Sequence, residues 1–265
     1  VALAHDVGLG AELVHPDTTT ANLWNRNSMV PMPRTLMGVP GDIRALDGVL
    51  SQKGLARALL EQVTPPSVSK RDLSIGQLIE DRFGREVTDR LVEPLLGGVY
   101  AGHARQLSAQ ACVPQVFDLV KKRRSLTTAA AEVLAAAPTD VPVFAGIRGG
   151  MGRLPMALAE GSAATIRTHA MVRDLARRPE GGWNLVVGSA HDAEIVQADA
   201  VVLATPANAS ARLLSDVAPR AALDLARIEH ASMAIITMAF RSEDFPNVIG
   251  SGFLVPPVDG HVIKA

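Results

Sequence analysis

The sequence contains a single cysteine and has almost no net charge. Each of these features excludes a class of protein or of binding site. One cysteine among 265 residues, Cys112, excludes an internal disulfide and any cysteine-cluster metal site, and we expect it to be a small buried hydrophobe. The net charge of −1 gives no overall field that would recruit nucleic acid. The seven histidines are scattered, and no two stand at the spacing of metal ligands, so we expect no metal site.

Long apolar runs and a hydrolytic motif are also missing. No run reaches the roughly 18 apolar residues of a membrane-spanning helix, and no signal peptide is visible. We therefore expect a cytoplasmic protein without a transmembrane helix, and we leave a peripheral association with the membrane open. No Gly-x-Ser-x-Gly occurs and no carboxylates cluster at ligand spacing, so the sequence assigns no side chain as a catalytic residue.

Hydrophobic periodicity predicts a mixed α/β (α+β) protein in which a helical block lies between two strand-rich parts. The 48% hydrophobic content is enough for a sizeable core in one or two domains. The elements predicted in the first half are a hairpin over 23–33 with its turn at Asn25–Ser28, helices over 41–137 around a loop at 64–71, helix caps at Asp72–Ser74, and a helix over Leu126–Ala136.

The spacing of apolar residues changes in the second half of the chain. The predicted elements there are a helix over Gly149–Glu160, a strand over Ala164–Val172, a hairpin of Trp183–Val187 and Glu194–Val196, a doubly buried strand over Ala200–Ala204, a helix from Ser210, and a strand over Met233–Phe240.

The two ends of the sequence predict an internal part of a longer protein. Residues 1–10 look like the second half of a helix that lacks its N-cap, and residues 253–265 look like a hairpin that ends within its second strand. A dinucleotide-binding Gly-x-Gly-x-x-Gly is also missing. In the nearest match, Gly150–Pro155, proline stands where the third glycine should be. We therefore expect these 265 residues alone to be inactive.

The most informative segment is Glu93–Gly102, with the sequence EPLLGGVYAG. Adjacent glycines let a backbone pass close to a large, flat ligand, although a helix end followed by a tight turn would use the same residues. Related motifs occur along the chain, in the order Met29–Pro33, Met37–Pro40, Gly149–Leu154 and Val201–Pro206. Together these segments resemble the protoporphyrinogen and coproporphyrinogen oxidases, flavin enzymes that oxidise porphyrinogens in haem synthesis.

The resemblance implies a flavin amine-oxidase-like fold whose FAD, substrate and helical domains are interleaved along the chain. Residues 1–40 and 208–265 would belong to the substrate domain, 41–140 to the helical domain, and 146–207 to the FAD-binding domain. It also implies that FAD accepts a hydride from the porphyrinogen, and that dioxygen then reoxidises the flavin and forms hydrogen peroxide. The cofactor carries the difficult step in such enzymes, which agrees with the missing catalytic side chains.

The same resemblance assigns candidate site residues. Val172 matches the end of a strand whose backbone holds the adenine of FAD, although an ordinary core valine would fit the sequence as well. Gly97 and Gly98 match glycines that line the porphyrinogen cavity. Arg26, Arg34 and the run Lys121–Arg124 are candidate partners for substrate carboxylates, because guanidinium groups bind carboxylates bidentately. A charge run is more often a solvated helix face.

One departure from the family bears on the substrate. Mitochondrial protoporphyrinogen oxidases carry a carboxylate-binding arginine just before the strand that Leu23 and Trp24 match, whereas this chain has Ala21 there. The resemblance therefore favours coproporphyrinogen III, which bears four propionates. Three alternatives remain open at this stage: a protoporphyrinogen IX oxidase, another flavin oxidase such as an amine oxidase or carotenoid desaturase, and a non-catalytic porphyrin-binding protein.

Overall fold

The computed structural model describes residues 1–18, 20–63, 71–137, 144–245 and 250–264. The chain divides into two units that are not continuous in sequence. The first unit comprises Val1–Glu12 and Gly149–Ala231, and the second comprises Leu13–Arg148 and Ser232–Ala265.

Helices and strands alternate irregularly along the described residues, as a mixed α/β protein requires. The α-helices are α1 Ala2–Asp6, α2 Gln52–Leu59, α3 Ile75–Phe83, α4 Arg85–Val87, α5 Glu93–Val99, α6 Ala109–Cys112, α7 Pro114–Lys122, α8 Leu126–Ala136, α9 Arg153–Gly161, α10 Ala207–Leu213 and α11 Pro219–Ala226. A π-helical turn, Thr88–Val92, joins α4 to α5, and short 3-10 helices span Gly10–Glu12, Ile43–Leu46, Leu60–Gln62 and Pro257–Asp259. The strands are β1 Leu13–Val14, β2 Asn22–Asn25, β3 Ser28–Pro31, β4 Thr35–Leu36, β5 Val39–Pro40, β6 Gly146–Ile147, β7 Val172–Arg177, β8 Trp183–Gly188, β9 Ala193–Ala198 and β10 Phe253–Leu254.

The predicted hairpin near the start of the second unit is confirmed. Strands β2 and β3 pair antiparallel across a two-residue turn, and both turn residues, Arg26 and Asn27, have positive φ, at 50° and 60°. Two residues with positive φ give the tight turn whose twist matches that of the flanking strands. Strand β10 pairs parallel to β2, so the hairpin becomes a three-stranded sheet with Leu23 fully buried.

Serine residues cap the N-termini of four helices of the second unit. The side chains of Ser51, Ser74, Ser108 and Ser125 each accept a hydrogen bond from the backbone N–H three residues later, at the beginning of α2, α3, α6 and α8. Such a cap contributes roughly 1 kcal/mol because it satisfies an N–H that the helix itself leaves unpaired. The predicted cap before α3 is confirmed at Ser74, and the predicted bounds of α8 are those observed.

The helices of the second unit enclose an apolar core that contains one buried ion pair. Arg82 of α3 donates to Glu61 at 2.7 Å, and both side chains are almost completely inaccessible to solvent. Glu61 also accepts hydrogen bonds from the Ser125 hydroxyl at 2.8 Å and from the Leu126 N–H at 2.7 Å, so it closes the N-terminus of α8. The pair therefore joins three parts of the chain. Cys112 is half-buried against this core, where burial and the nearby Asp72 raise the pKa of its thiol.

The first unit is built around a three-stranded antiparallel meander, β7–β8–β9. Its second hairpin, from Trp183–Gly188 to Ala193–Ala198, confirms the predicted one. The guanidinium of Arg177 lies 4.6 Å from the centre of the Trp183 ring, in cation–π contact. Helices α10 and α11 pack against each other, and α10 contacts β7.

Three predicted strands are wrong. Residues 164–171, 200–204 and 232–240 form no strand, and the strand expected at 164–172 is instead β7, which begins at Val172. A strand forms only where a neighbour completes its backbone ladder, and no described strand pairs with these segments. Their apolar side chains consequently lie at the surface: Val202 is 90% exposed and Ile235 is 89% exposed.

Two other predictions differ in their bounds. The helix expected from Gly149 begins at Arg153, because Gly149 and Gly150 adopt φ of 82° and 105° and therefore cannot be helical. The helix expected from Ser210 begins earlier, at Ala207. The loop predicted at 64–71 falls mostly outside the described residues. Within the described ranges, no helix combines the length and apolar character that a membrane crossing needs.

Candidate functional site

The first unit contains a cavity of about 650 Å³ whose wall is mostly apolar. The start of β7 forms one side of it and α10 contributes another. The lining residues are Ala170–Arg173, Leu175, Leu185, the segment 201–205, Ala209, Arg212 and Leu213. Val172, the residue that the resemblance assigns to the adenine of FAD, therefore lies in the wall of a cavity rather than in a closed core.

A β-bulge shapes this wall. Val172 pairs with Val187 of β8 and Asp174 pairs with Val186, so Arg173 is the extra residue of β7. Just before the bulge, the Met171 carbonyl accepts a hydrogen bond of 2.9 Å from the Gly188 N–H. Bulges bend a strand and redirect its backbone, and they are common next to binding sites. The bulge thus interrupts the regular ladder at the position assigned to cofactor binding.

The size and chemistry of this cavity fit the adenosine end of a dinucleotide. Its volume lies within the range of small-molecule sites, roughly 300–1,000 Å³. The apolar side chains of Met171 and Val202 are more than half exposed there, which leaves surface for a flat base to cover. Arg173 and Arg212 add two cations to the lining, and guanidinium groups bind phosphates bidentately. These residues therefore suit FAD, which the family resemblance implies.

The second candidate site is the Glu93–Gly102 segment of the second unit. Residues Glu93–Val99 form α5 and Tyr100 is its C-cap, so Gly97 and Gly98 lie in the last turn of a helix. A turn and bends follow at 100–102, as the alternative interpretation of a helix end before a tight turn expects. The ammonium group of Lys264 donates to the carbonyls of Gly97 at 3.2 Å and Gly102 at 3.4 Å. That cation holds the two ends of the glycine segment together.

The two adjacent glycines have opposite surroundings. A Cβ built on Gly97 would lie 2.9 Å from the Gly102 carbonyl oxygen and 3.4 Å from the Glu93 carboxylate, so a side chain does not fit there. A Cβ built on Gly98 would meet no atom within 4 Å. Gly97 is therefore required for close backbone packing, whereas Gly98 faces open space. The geometry is compatible with a substrate cavity at Gly98, and that role stays a prediction.

The Glu93 carboxylate organises the loop that follows the glycines. It is nearly buried and accepts hydrogen bonds from the His103 ring Nδ1 at 2.9 Å and from the Ala104 N–H at 2.7 Å. A cavity of about 420 Å³ lies beside this pair, lined by Arg85, Asp89, Glu93, His103, Arg105, Gln106, Pro257 and Val258. The sequence assigned no role to Glu93 or His103. The two residues are ten positions apart, and only the fold of the helix and the following loop brings their side chains into contact.

The two candidate arginines for substrate carboxylates already have protein partners. Arg26 donates to the Val49 carbonyl at 2.9 Å and forms an ion pair with Glu86, and its own backbone N–H donates to Asp259 at 3.0 Å. Burial raises the pKa of Glu86, but hydrogen bonds from Ser51 and the charge of Arg26 outweigh it, so that pKa is lowered. Arg34 donates to the Leu134 carbonyl at 2.9 Å, near the end of α8. Their role in substrate binding stays a prediction.

The basic run 121–124 lies at the end of α7 and just beyond it. Lys121 lies 4.0 Å from the centre of the Phe117 ring and 3.7 Å from Asp118, and Arg123 forms an ion pair with Glu132 at 2.5 Å. These are contacts of a solvated helix face, as the more ordinary interpretation of a charge run expects. Among the described residues, no group of histidine, cysteine and carboxylate side chains could hold a metal ion.

Comparison with known proteins connects these features. A family model described as flavin containing amine oxidoreductase matches residues 1–259. The coproporphyrinogen III oxidase of Mycobacterium tuberculosis is 30% identical over 240 residues, which cover 90% of this chain and 51% of that protein. Human protoporphyrinogen oxidase is 27% identical over 277 residues, which cover 96% of this chain and 55% of that protein. The chain thus spans about half the length of these curated relatives.

A solved structure shows the same architecture. The crystal structure of an Exiguobacterium sp. 255-15 protein, provisionally assigned as a protoporphyrinogen oxidase, superposes with a TM-score of 0.75 at 24% identity and covers 99% of this chain and 57% of that one. This likeness establishes the flavin amine-oxidase-like fold, and the family match over nearly the whole chain establishes the class of cofactor as a flavin. The chain belongs to the flavin containing amine oxidoreductase family.

Proposed function

We propose that the protein to which this chain belongs is an FAD-dependent oxidase that converts coproporphyrinogen III to coproporphyrin III in haem synthesis. The observation that carries the proposal is the apolar cavity at the bulged start of β7, with Val172 in its wall. The named activities of the relatives support the porphyrinogen as substrate class. In this proposal, residues 146–207 serve FAD binding, 41–140 form the helical domain, and 1–40 and 208–265 serve the substrate. Ala209, Arg212 and Leu213 of the last segment also contribute to the wall of the FAD cavity.

The residues have distinct tasks. The main chain of Val172 holds the adenine ring, while Gly97 and Gly98 form a wall against which a flat macrocycle lies. Arg26 and Arg34 are the proposed partners of the substrate carboxylates, and each would exchange a present partner for a propionate. FAD, when bound, would supply the electron acceptance, and dioxygen would be the final acceptor that takes up two electrons and two protons as hydrogen peroxide.

The residue at position 21 supports coproporphyrinogen over protoporphyrinogen. Ala21 precedes β2 directly, and its carbonyl accepts the Met32 N–H at 3.0 Å, so its backbone is fixed by the hairpin. A methyl group there offers no charge to a substrate carboxylate. We propose that the protein works in the cytoplasm, with the porphyrinogen and dioxygen as its partners.

The test is turnover by the purified full-length protein. Coproporphyrinogen III and protoporphyrinogen IX are supplied separately in air, porphyrin fluorescence and peroxide are followed, and the flavin is released and identified by mass. The proposal expects FAD, faster product formation from coproporphyrinogen III, and peroxide in step with product. Faster oxidation of protoporphyrinogen IX would show that coproporphyrinogen III is not the preferred substrate. Porphyrin binding without bound flavin would show that the protein is a porphyrin-binding protein and not an enzyme.

A further inference from the structure

The Glu93–His103 pair has the arrangement of an oriented proton acceptor. Each carboxylate oxygen of Glu93 has one partner: Oε1 is 2.9 Å from Nδ1 of His103, and Oε2 accepts the Ala104 N–H at 2.7 Å. Because an ionised carboxylate only accepts hydrogen bonds, Nδ1 carries the proton in the neutral ring. The second ring nitrogen, Nε2, is then left with a lone pair. It makes no hydrogen bond to the described part of the chain.

The pair is fixed to the segment proposed to contact substrate. The Glu93 carboxylate lies in the first turn of α5 and approaches the position of a Gly97 Cβ to 3.4 Å. Lys264 ties the carbonyls of Gly97 and Gly102 together immediately before His103 in the chain. The carboxylate that orients the imidazole therefore lies directly beside the glycine segment.

The charges around the imidazole are arranged in pairs. Asp89, from the π-helical turn, accepts from Arg85 at 3.1 Å and from Arg105 at 2.6 Å, and Arg105 also reaches Glu80 of α3 at 2.8 Å. Arg85, Asp89 and Arg105 are the charged residues that line the cavity together with Glu93 and His103. Arginine and ionised carboxylates do not accept and release protons near neutrality, whereas an imidazole does. The histidine side chain is also 62% exposed, so a proton taken up can pass to water.

The proposed reaction needs such a group. The first two-electron oxidation of a porphyrinogen breaks a C–H bond at a bridging methylene, whose hydrogen and electron pair would pass together to the flavin. A pyrrole N–H bond breaks as well, and its proton must leave separately while the new double bond forms. Resting on the proposed function, we propose that Nε2 of His103 accepts this pyrrole proton. Glu93 is the positioning residue that sets the tautomer and the orientation of the ring.

The experiment compares His103→Asn and Glu93→Gln with wild type, and uses His191→Asn as the control, since His191 lies in the exposed loop between β8 and β9 of the first unit. For each full-length variant, bound flavin and melting temperature are measured first. Coproporphyrinogen III is then mixed with the protein without oxygen, and the rate of flavin reduction is recorded from about pH 5 to 8, the range in which an imidazole titrates.

We expect His103→Asn to keep its flavin and fold but to reduce flavin about 10² times or more slowly, a typical contribution of general base catalysis, and to lose the fall in rate toward acid pH. Glu93→Gln should lower the rate less and move that fall to another pH, which a purely structural role would not do. Added imidazole should partly restore a His103→Ala variant. Wild-type rates and an unchanged pH profile in folded His103→Asn would overturn the proton-acceptor role alone. Failure of the wild type to be reduced would overturn the proposed function and this role with it.

Discussion

We expect Gly98→Ala to make the protein more stable but less active, and we expect Gly97→Ala, at the adjacent position, to make it less stable. Gly98 lies inside α5 with no positive φ, and its Cβ would meet nothing within 4 Å. Replacing a helical glycine by alanine gains roughly 0.5–1 kcal/mol, because the unfolded chain loses freedom and the helix loses nothing. For a chain of this size, 1 kcal/mol corresponds to roughly 2–4 °C in melting temperature.

The Gly97 variant meets a fixed carbonyl. Its Cβ would lie 2.9 Å from the Gly102 oxygen, which also receives Lys264, so backbone would have to move. Overpacking of this kind costs roughly 1–3 kcal/mol, which exceeds the gain in helix propensity. Melting temperature should therefore fall for Gly97→Ala and rise for Gly98→Ala.

The assay records melting temperature, bound flavin and coproporphyrinogen oxidation for Gly97→Ala, Gly98→Ala and Gly98→Leu. If Gly98 lines a cavity for a flat macrocycle, turnover per bound flavin should fall from glycine to alanine to leucine while the fold is retained. A folded Gly98→Leu protein with normal turnover would refute the cavity role. A Gly98→Ala protein that melts below wild type would refute the structural reasoning as well.

Three further predictions concern the ion pairs and the cofactor strand. Glu61→Gln should destabilise the protein by about 3–5 kcal/mol in denaturant unfolding, because it leaves the buried charge of Arg82 without a partner, whereas Glu132→Gln at the exposed Arg123 pair should cost less than about 1 kcal/mol. Similar losses of stability in both variants would show that burial does not determine the cost. Val172→Pro should abolish FAD binding by distorting the start of β7, while Val172→Ala should leave the affinity within several-fold; equally large losses would assign the role to the side chain. The pKa of Glu86 is lowered in the folded state, so its contribution to stability is present above its unfolded pKa of 4.5 and is lost as the pH falls through its folded pKa. Glu86→Gln should therefore make the stability less dependent on acid pH, and an unchanged pH dependence would contradict the lowered pKa of Glu86.

Local signals in the sequence were sufficient where the structure depends on neighbours in the chain. The hairpin was predicted from the polar turn Asn25–Ser28 between apolar residues, and α8 from the alanine-rich run Leu126–Ala136. Both form where they were predicted. The strand expected at 200–204 failed for a different reason. An apolar run indicates burial, but a ladder also needs a neighbouring strand, and none of the described strands supplies one.

The candidate sites also combine features that were expected from the sequence with features that only the structure shows. The resemblance placed Val172 and Gly97 in the sequence, but it could not show that β7 is bulged at Arg173 or that a Gly97 Cβ would strike Gly102. The Glu93–His103 contact depends on how α5 and the following loop fold together. A non-local contact between common residue types leaves no pattern in the sequence, so it becomes visible only in three dimensions.

The measurement that tests the central claim most directly is an anaerobic titration of the purified full-length protein with coproporphyrinogen III, followed by its flavin absorption. The account predicts that bound FAD loses its oxidised band as substrate is added and that admitting air restores the band. Coproporphyrin III should accumulate after air is admitted, because the full oxidation of one porphyrinogen takes more electrons than one FAD accepts. A protein that carries FAD whose spectrum stays unchanged with the porphyrinogen, but is bleached by an amine, would contradict it.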